Sequence, residues 1–124
     1  NFFLSQEPYA GIQTLADFMR ENQSINFVFV TKVSNGLRWA YEEKIQWIQK
    51  YFSIEPKMIF TAEKYLVDVD YLIDDYPLNY EQWVAQRRKG SFILYSQNYN
   101  IDYQLESPHL RSNSWKEICK KISK

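Results

Sequence analysis

At 124 residues, with 45% hydrophobic and 18% aromatic content, the chain has the size and composition of one globular domain able to bury a core. Fifteen basic and fifteen acidic residues cancel, which removes any whole-chain electrostatic case for a nucleic-acid polymer or a membrane surface as partner. Cys119 is the single cysteine, so an intrachain disulfide is excluded and a cytoplasmic setting is expected; no apolar run approaches the roughly 20 residues of a membrane span.

The chain begins at Asn1 rather than Met, which reads as processing or as a piece of something longer. From residue 9 to 21, Ile12, Leu15, Ala16, Phe18 and Met19 fall at spacings of three and four, the pattern of a helical face. Asn22-Gln23-Ser24 breaks it. Residues 25–30 read as a buried strand, rich in β-branched and aromatic side chains and ending at Thr31-Lys32. Ser34, Asn35 and Gly36 form a loop before a long helix over 37–52, whose stripe runs through Leu37, Ala40, Tyr41, Lys44, Ile45, Trp47, Ile48 and Tyr51. Pro56 separates that helix from a short strand over 57–60, and Thr61 to Lys64 is the loop at its carboxyl end.

Tyr71-Leu72-Ile73 then runs directly into Asp74 and Asp75, with Pro77 stopping the run. A short continuous apolar run suggests a strand buried on both faces, as in a parallel sheet covered by helices. A short helix is predicted over 79–86. A basic turn, Arg87-Arg88-Lys89-Gly90, leads into a strand over Ser91–Tyr95. Residues 97–113 are polar and read as loop, and Ser114 caps a final helix over Trp115–Ile122, with Glu117 at capping-box spacing. Strands alternating with helical patterns predict βαβ units, an α/β fold with a parallel sheet, in a single domain over 1–124.

In such sheets ligands bind at the carboxyl ends of the strands. Four loops should open on that edge, bringing Thr31, Lys32 and Ser34, then Thr61 and Lys64, then Asp74 and Asp75, then Ser96, Gln97 and Asn98. Hydroxyls and backbone N–H groups would donate to phosphate oxygens, a lysine would offset their charge, and a metal would bridge carboxylate and phosphate. Two adjacent carboxylates repel unless a positive group lies between them. Mg2+ is a natural partner, because it takes one or two protein carboxylates and completes its shell with water and phosphate oxygens. Each residue also has an ordinary reading: the Asp pair and Thr31 as strand-end turn formers, Lys64 as a solvated lysine. Lys44 lies on the apolar stripe and is either held inward or snorkels outward over apolar surface. His109, beside Pro108, has no Cys, His or Ser partner nearby and reads as a loop histidine. Cys119 reads as helix packing. Three glycines in all exclude a Gly-rich phosphate loop.

Taken in order, these motifs resemble the haloacid-dehalogenase superfamily, and within it the 5'(3')-deoxyribonucleotidases and their bacterial and phage relatives. The resemblance is carried by Phe2-Phe3 with Pro8-Tyr9-Ala10-Gly11, the strand ending at Thr31, and Glu43-Lys44 with Trp47. It continues through Ile59 to Lys64, Tyr71-Leu72-Ile73-Asp74-Asp75, Gly90 to Leu94, Asn98-Tyr99-Asn100 and Ser114-Trp115-Lys116-Glu117-Ile118. It covers nearly the whole chain. The likeness implies a three-layer α/β sandwich around a Rossmann-like parallel sheet. It also implies Mg2+-dependent hydrolysis of (deoxy)nucleoside monophosphates through an aspartyl-phosphate. Thr31 would bind the transferring phosphoryl group, Lys64 or Lys44 would stabilise it, and Asp75 would ligate Mg2+ with Asp74 assisting. Lys32 stands where relatives often carry Ser.

One departure is large. The superfamily's nucleophile belongs to an Asp-x-Asp motif at the end of the central strand, and this sequence has none before Thr31. Asp68-Val69-Asp70 has the spacing but precedes a strand instead of following one. The chain is therefore expected to begin near the end of the family's cap insertion. The central strand would come from an N-terminal segment or another chain; a homodimer is the other partner expected. Without it, two strand edges would each leave backbone groups unpaired at about 1–3 kcal/mol apiece, against a total stability of about 5–15 kcal/mol. Two rivals follow: a non-catalytic binding or assembly protein that retains the fold and presents its aromatic surface, and a phosphatase of another small phosphomonoester.

Overall fold

Gly11, with φ of 86°, a backbone conformation that glycine adopts without strain, leads into α1 over Ile12–Glu21. The structure, a computed structural model, describes residues 11–32, 38–86 and 89–123. Two compact units, Asn1–Ala62 and Glu63–Lys124, each carry their own sheet.

In the first unit α1 buries Leu15, Ala16 and Met19, the face that its apolar spacing predicts. The strand β1 spans Phe29–Thr31 and the helix α2 spans Arg38–Phe52. β2, over Met58–Phe60, pairs parallel with β1, Phe29 opposite Met58 and Thr31 opposite Phe60. This is a βαβ unit, as the alternation of patterns predicts. β1 is shorter than the expected strand over 25–30. The N–H of Ile25 turns back to the carbonyl of Asn22 at 3.0 Å, and β2 offers only three residues to pair with. Arg20 ties the two helices together, donating to the Phe52 carbonyl at 2.7 Å. Ser53, with φ of 54°, ends α2 in the left-handed region. Phe52 is buried, with its ring edge-on to Phe29 at 5.1 Å.

The second unit is a three-stranded parallel sheet in the order β3-β4-β5, with β3 over Tyr71–Asp74, β4 over Ser91–Tyr95 and β5 over Leu110–Ser112. α3, over Pro77–Ala85, connects β3 to β4; it starts two residues before the predicted 79, because Pro77 suits a first turn whose N–H has no helical partner anyway. α4 spans Trp115–Ile122 and is capped as predicted, with Ser114 Oγ accepting from the Glu117 N–H. Side chains alternate along β4. Phe92 and Leu94 join Leu72, Tyr80 and Trp83 on one face, while Ile93 and Tyr95 join Ile118 on the other. α3 thus covers one face and α4 the other, which makes three layers. β4 is buried at four of its five positions, as a two-sided central strand must be. β5 falls inside the stretch expected to be loop. It holds only three residues, one of them Arg111, and its partner lies far away in sequence. Trp83 Nε1 donates to the Gly90 carbonyl at 2.9 Å, and a Cβ on Gly90 would lie 2.1 Å from the Val69 carbonyl oxygen.

β3 pairs with β4 along one edge, and β1 with β2; among the described residues no strand lies on the other edge of either. No helix among the described residues is long and apolar enough to cross a membrane. Phe2, Phe3, Pro8, Tyr9 and Ala10, together with Ser34 and the Arg87-Arg88 pair, lie outside the described residues.

Candidate functional site

Two groups of predicted side chains assemble, one in each unit. In the first unit Thr31 ends β1, so its hydroxyl lies at the carboxyl edge of the two-stranded sheet. Lys44, in the second turn of α2, reaches that edge and donates from Nζ to Thr31 Oγ1 at 2.6 Å. The lysine on the apolar stripe is therefore held against the strand end rather than snorkelling away. Thr61 extends β2 past its last paired residue, its N–H bonded to the Thr31 carbonyl at 2.9 Å. Lys32 is exposed, and Ser34 lies outside the described residues.

In the second unit the organising residue is Asp74, the last of β3. Its Oδ1 accepts from the backbone N–H of Asp75 at 2.7 Å and of Tyr76 at 3.3 Å. Its Oδ2 accepts from Lys64 Nζ at 2.9 Å and from Asn79 Nδ2 at 2.7 Å. With four donors on two oxygens and a side chain only 7% exposed, Asp74 is fixed by its surroundings. It closes the turn from β3 into α3 and anchors the lysine. Lys64 comes from the short 3-10 turn Lys64–Leu66 ahead of β3.

Asp75 is the next residue and is only partly buried. Burial pushes its carboxyl above the ordinary carboxylate range; the Tyr99 hydroxyl bonded to it pulls the other way, and neighbouring Asp74 pushes it up again. A desolvated carboxylate beside a second one is a site where a cation is favoured. Among the described residues no three His, Cys, Asp or Glu side chains cluster. A carboxylate pair of this kind suits a hard cation that takes one or two protein carboxylates, such as Mg2+ with its remaining positions on water and phosphate oxygens, and Asp75 is the residue that would hold it. Asp68 and Asp70 precede β3 and lie at the opposite edge of this sheet.

Sequence reasoning missed the residues behind Asp75. Asn100, 2% exposed, ends the 3-10 turn Asn98–Asn100 and donates from Nδ2 to the carbonyls of Asp75 at 2.7 Å and Tyr95 at 3.0 Å. Arg111 of β5 donates to the Asn100 carbonyl at 2.9 Å and to Ser96 Oγ at 3.1 Å, and it also bonds the Tyr103 carbonyl. The signal available beforehand was the spacing of Gln97 and Asn100, which form a reciprocal capping box. His109 is indeed a loop histidine, and it has a structural task. Its Nδ1 accepts the Phe92 backbone N–H at 3.0 Å, and burial lowers its pKa, with Glu106 opposing.

Comparison with known proteins matches residues 1–124 to the model of a family described as 5' nucleotidase, deoxy (pyrimidine), cytosolic type C protein. The human mitochondrial 5'(3')-deoxyribonucleotidase is 28% identical over 125 residues, a match that takes in 98% of this chain and 54% of the human protein. The 5'(3')-deoxyribonucleotidase of Clostridium acetobutylicum is 30% identical over 118 residues, covering 90% of this chain and 60% of that protein. The chain thus spans little more than half the length of these curated relatives.

Proposed function

The chain belongs to the family of cytosolic type C 5' nucleotidases acting on deoxy (pyrimidine) nucleotides, and on that footing we propose that it contributes to a 5'(3')-deoxyribonucleotidase, hydrolysing the phosphomonoester of deoxyribonucleoside monophosphates with Mg2+. The observation that carries this reading is the end of β3. There Asp74 is bonded by Lys64, Asn79 and two backbone N–H groups, and the partly exposed, desolvated carboxylate of Asp75 follows directly.

The roles divide by unit. In the first, Thr31 would donate its hydroxyl to a phosphoryl oxygen. The Lys44 ammonium, already within 2.6 Å of that hydroxyl, would offset the phosphate's charge. Lys32 and Ser34 are further donors for the same phosphate. In the second, Asp75 would ligate Mg2+ and Asp74 would orient it through the shared backbone turn, with Lys64 neutralising Asp74. Mg2+ held there would supply Lewis-acid charge for phosphoryl chemistry. The nucleophile would be an aspartate that this sequence does not contain, giving an aspartyl-phosphate that water then hydrolyses. The whole chain would act as one domain of that enzyme in the cytoplasm.

The test is phosphate release from a panel of deoxyribonucleoside monophosphates by the full-length polypeptide, with and without Mg2+. Mg2+-dependent release that Thr31→Val lowers by about 100-fold or more, as loss of a single donor to a developing charge does, and that Asp75→Asn lowers through loss of the metal's carboxylate, supports the reading. No release by the wild type above that of the Asp75→Asn variant overturns it.

A further inference from the structure

We propose that Asn100 is a positioning residue for Asp75, a side-chain fastener that continues the sheet where its backbone ladder stops and so aims the metal-binding carboxylate. The inference rests on the metal role given to Asp75 above. The last paired residues of β3 and β4 are Asp74 and Leu94. One step further, the carbonyls of Asp75 and Tyr95 both accept from the single Nδ2 of Asn100, at 2.7 and 3.0 Å. Each of that amide's two protons is thus taken by a different strand end.

The fastener is itself held. Its Oδ1 accepts the Gln97 N–H at 2.9 Å, and the Gln97 side chain accepts the Asn100 N–H in return. Arg111 fixes the Asn100 carbonyl from the third strand at 2.9 Å. An amide whose hydrogen-bonding groups are all engaged, at 2% exposure, has one orientation open to it.

The isosteric Asn100→Asp keeps an acceptor for the Gln97 N–H and removes both donors, leaving two carbonyls facing a carboxyl group. Losing a group that orients a metal ligand in this way weakens metal sites by about 10–100-fold. The experiment measures the Mg2+ concentration for half-maximal phosphate release in the full-length polypeptide, with Mg2+ titrations by calorimetry alongside. Wild type, Asn100→Asp, Asn100→Ser and Arg111→Lys are compared. The expected result is a midpoint raised about tenfold or more in both Asn100 variants and less in Arg111→Lys, with turnover recovering at saturating Mg2+. A merely structural role would lower turnover in proportion to folded protein and leave the midpoint unmoved, and that result overturns the proposal.

A wild-type measurement covers variants that do not fold: the Asn100 side-chain amide resonances, followed by NMR, should shift on Mg2+ saturation in wild type and stay still in Asp75→Asn. Resonances that ignore Mg2+ in the wild type also overturn it. If the wild type neither binds Mg2+ nor releases phosphate, the nucleotidase reading and this proposal fall together. If it does both and the Asn100 variants titrate as wild type, this proposal alone falls.

Discussion

Replacing Lys64 by Met isolates what the charged anchor of β3 contributes. The substitution keeps an unbranched stem of similar length and deletes the ammonium that Asp74 Oδ2 accepts from at 2.9 Å. A hydrogen bond to a charged group contributes about 1.5–3 kcal/mol, and stripping one partner from a fully buried pair costs about 3–5 kcal/mol. Here the Lys64 side chain keeps 18% of its exposure against 7% for Asp74, and Asp74 retains Asn79 and two backbone N–H groups. The lower range therefore governs, and Lys64→Met should cost about 2 kcal/mol. Asp74→Asn should cost a similar amount, since its amide would turn N–H groups toward donors. Because the two changes remove one shared interaction, the double variant should lose about 1–2 kcal/mol less than the sum. Urea unfolding of the four proteins, with unchanged denaturant slopes, measures it. A coupling below about 0.5 kcal/mol would refute the reasoning, because it would place the pair among ordinary surface salt bridges.

Three further outcomes follow from the geometry. His109 accepts a hydrogen bond on Nδ1 and its folded pKa lies below the unfolded value, so the unfolded chain binds the extra proton more readily. Stability is then fully present above about pH 6.5 and is lost as pH falls through the folded pKa; a stability profile measured against His109→Gln should lose that acid limb, and an identical limb in both proteins would contradict it. Gly90→Ala places a Cβ 2.1 Å from the Val69 carbonyl oxygen, a backbone clash costing about 3 kcal/mol or more by thermal unfolding, and near-wild-type stability would show that the turn has room. Lys44→Met should lower phosphate release about 100-fold through the lost charge beside Thr31 while leaving Mg2+ half-saturation unchanged; a shifted Mg2+ midpoint would move Lys44 to the metal.

Much of the fold was legible because the strongest signals were local. The apolar run before Asp74 does form a strand, although only Leu72 in it is buried while Tyr71 and Ile73 are half-buried, and α2 and the Ser114 cap stand where their spacing places them. The site was legible in its parts, since Lys44 does reach Thr31 and Lys64 does lie beside the acidic pair. What escaped has a common cause. β5 is a strand only because β4 lies alongside it, and Leu110-Arg111-Ser112 has no periodicity long enough to register. Asn100 and Arg111 look like ordinary loop polar residues until the carbonyls of Asp75, Tyr95 and Tyr103 are brought to them by the fold. The opposite error, extending β1 back to residue 25, comes from reading β-branched composition as sufficient, when pairing to a three-residue β2 sets the length.

The central claim is that Asp75 holds a divalent cation at the end of β3. Calorimetric titration of Mg2+ into the full-length protein, with inorganic phosphate present, addresses it directly. Binding by the wild type and by Asp68→Asn, whose side chain is exposed at the other edge of the sheet, with none by Asp75→Asn, is the predicted result. Asp75→Asn binding Mg2+ as tightly as the wild type would contradict it.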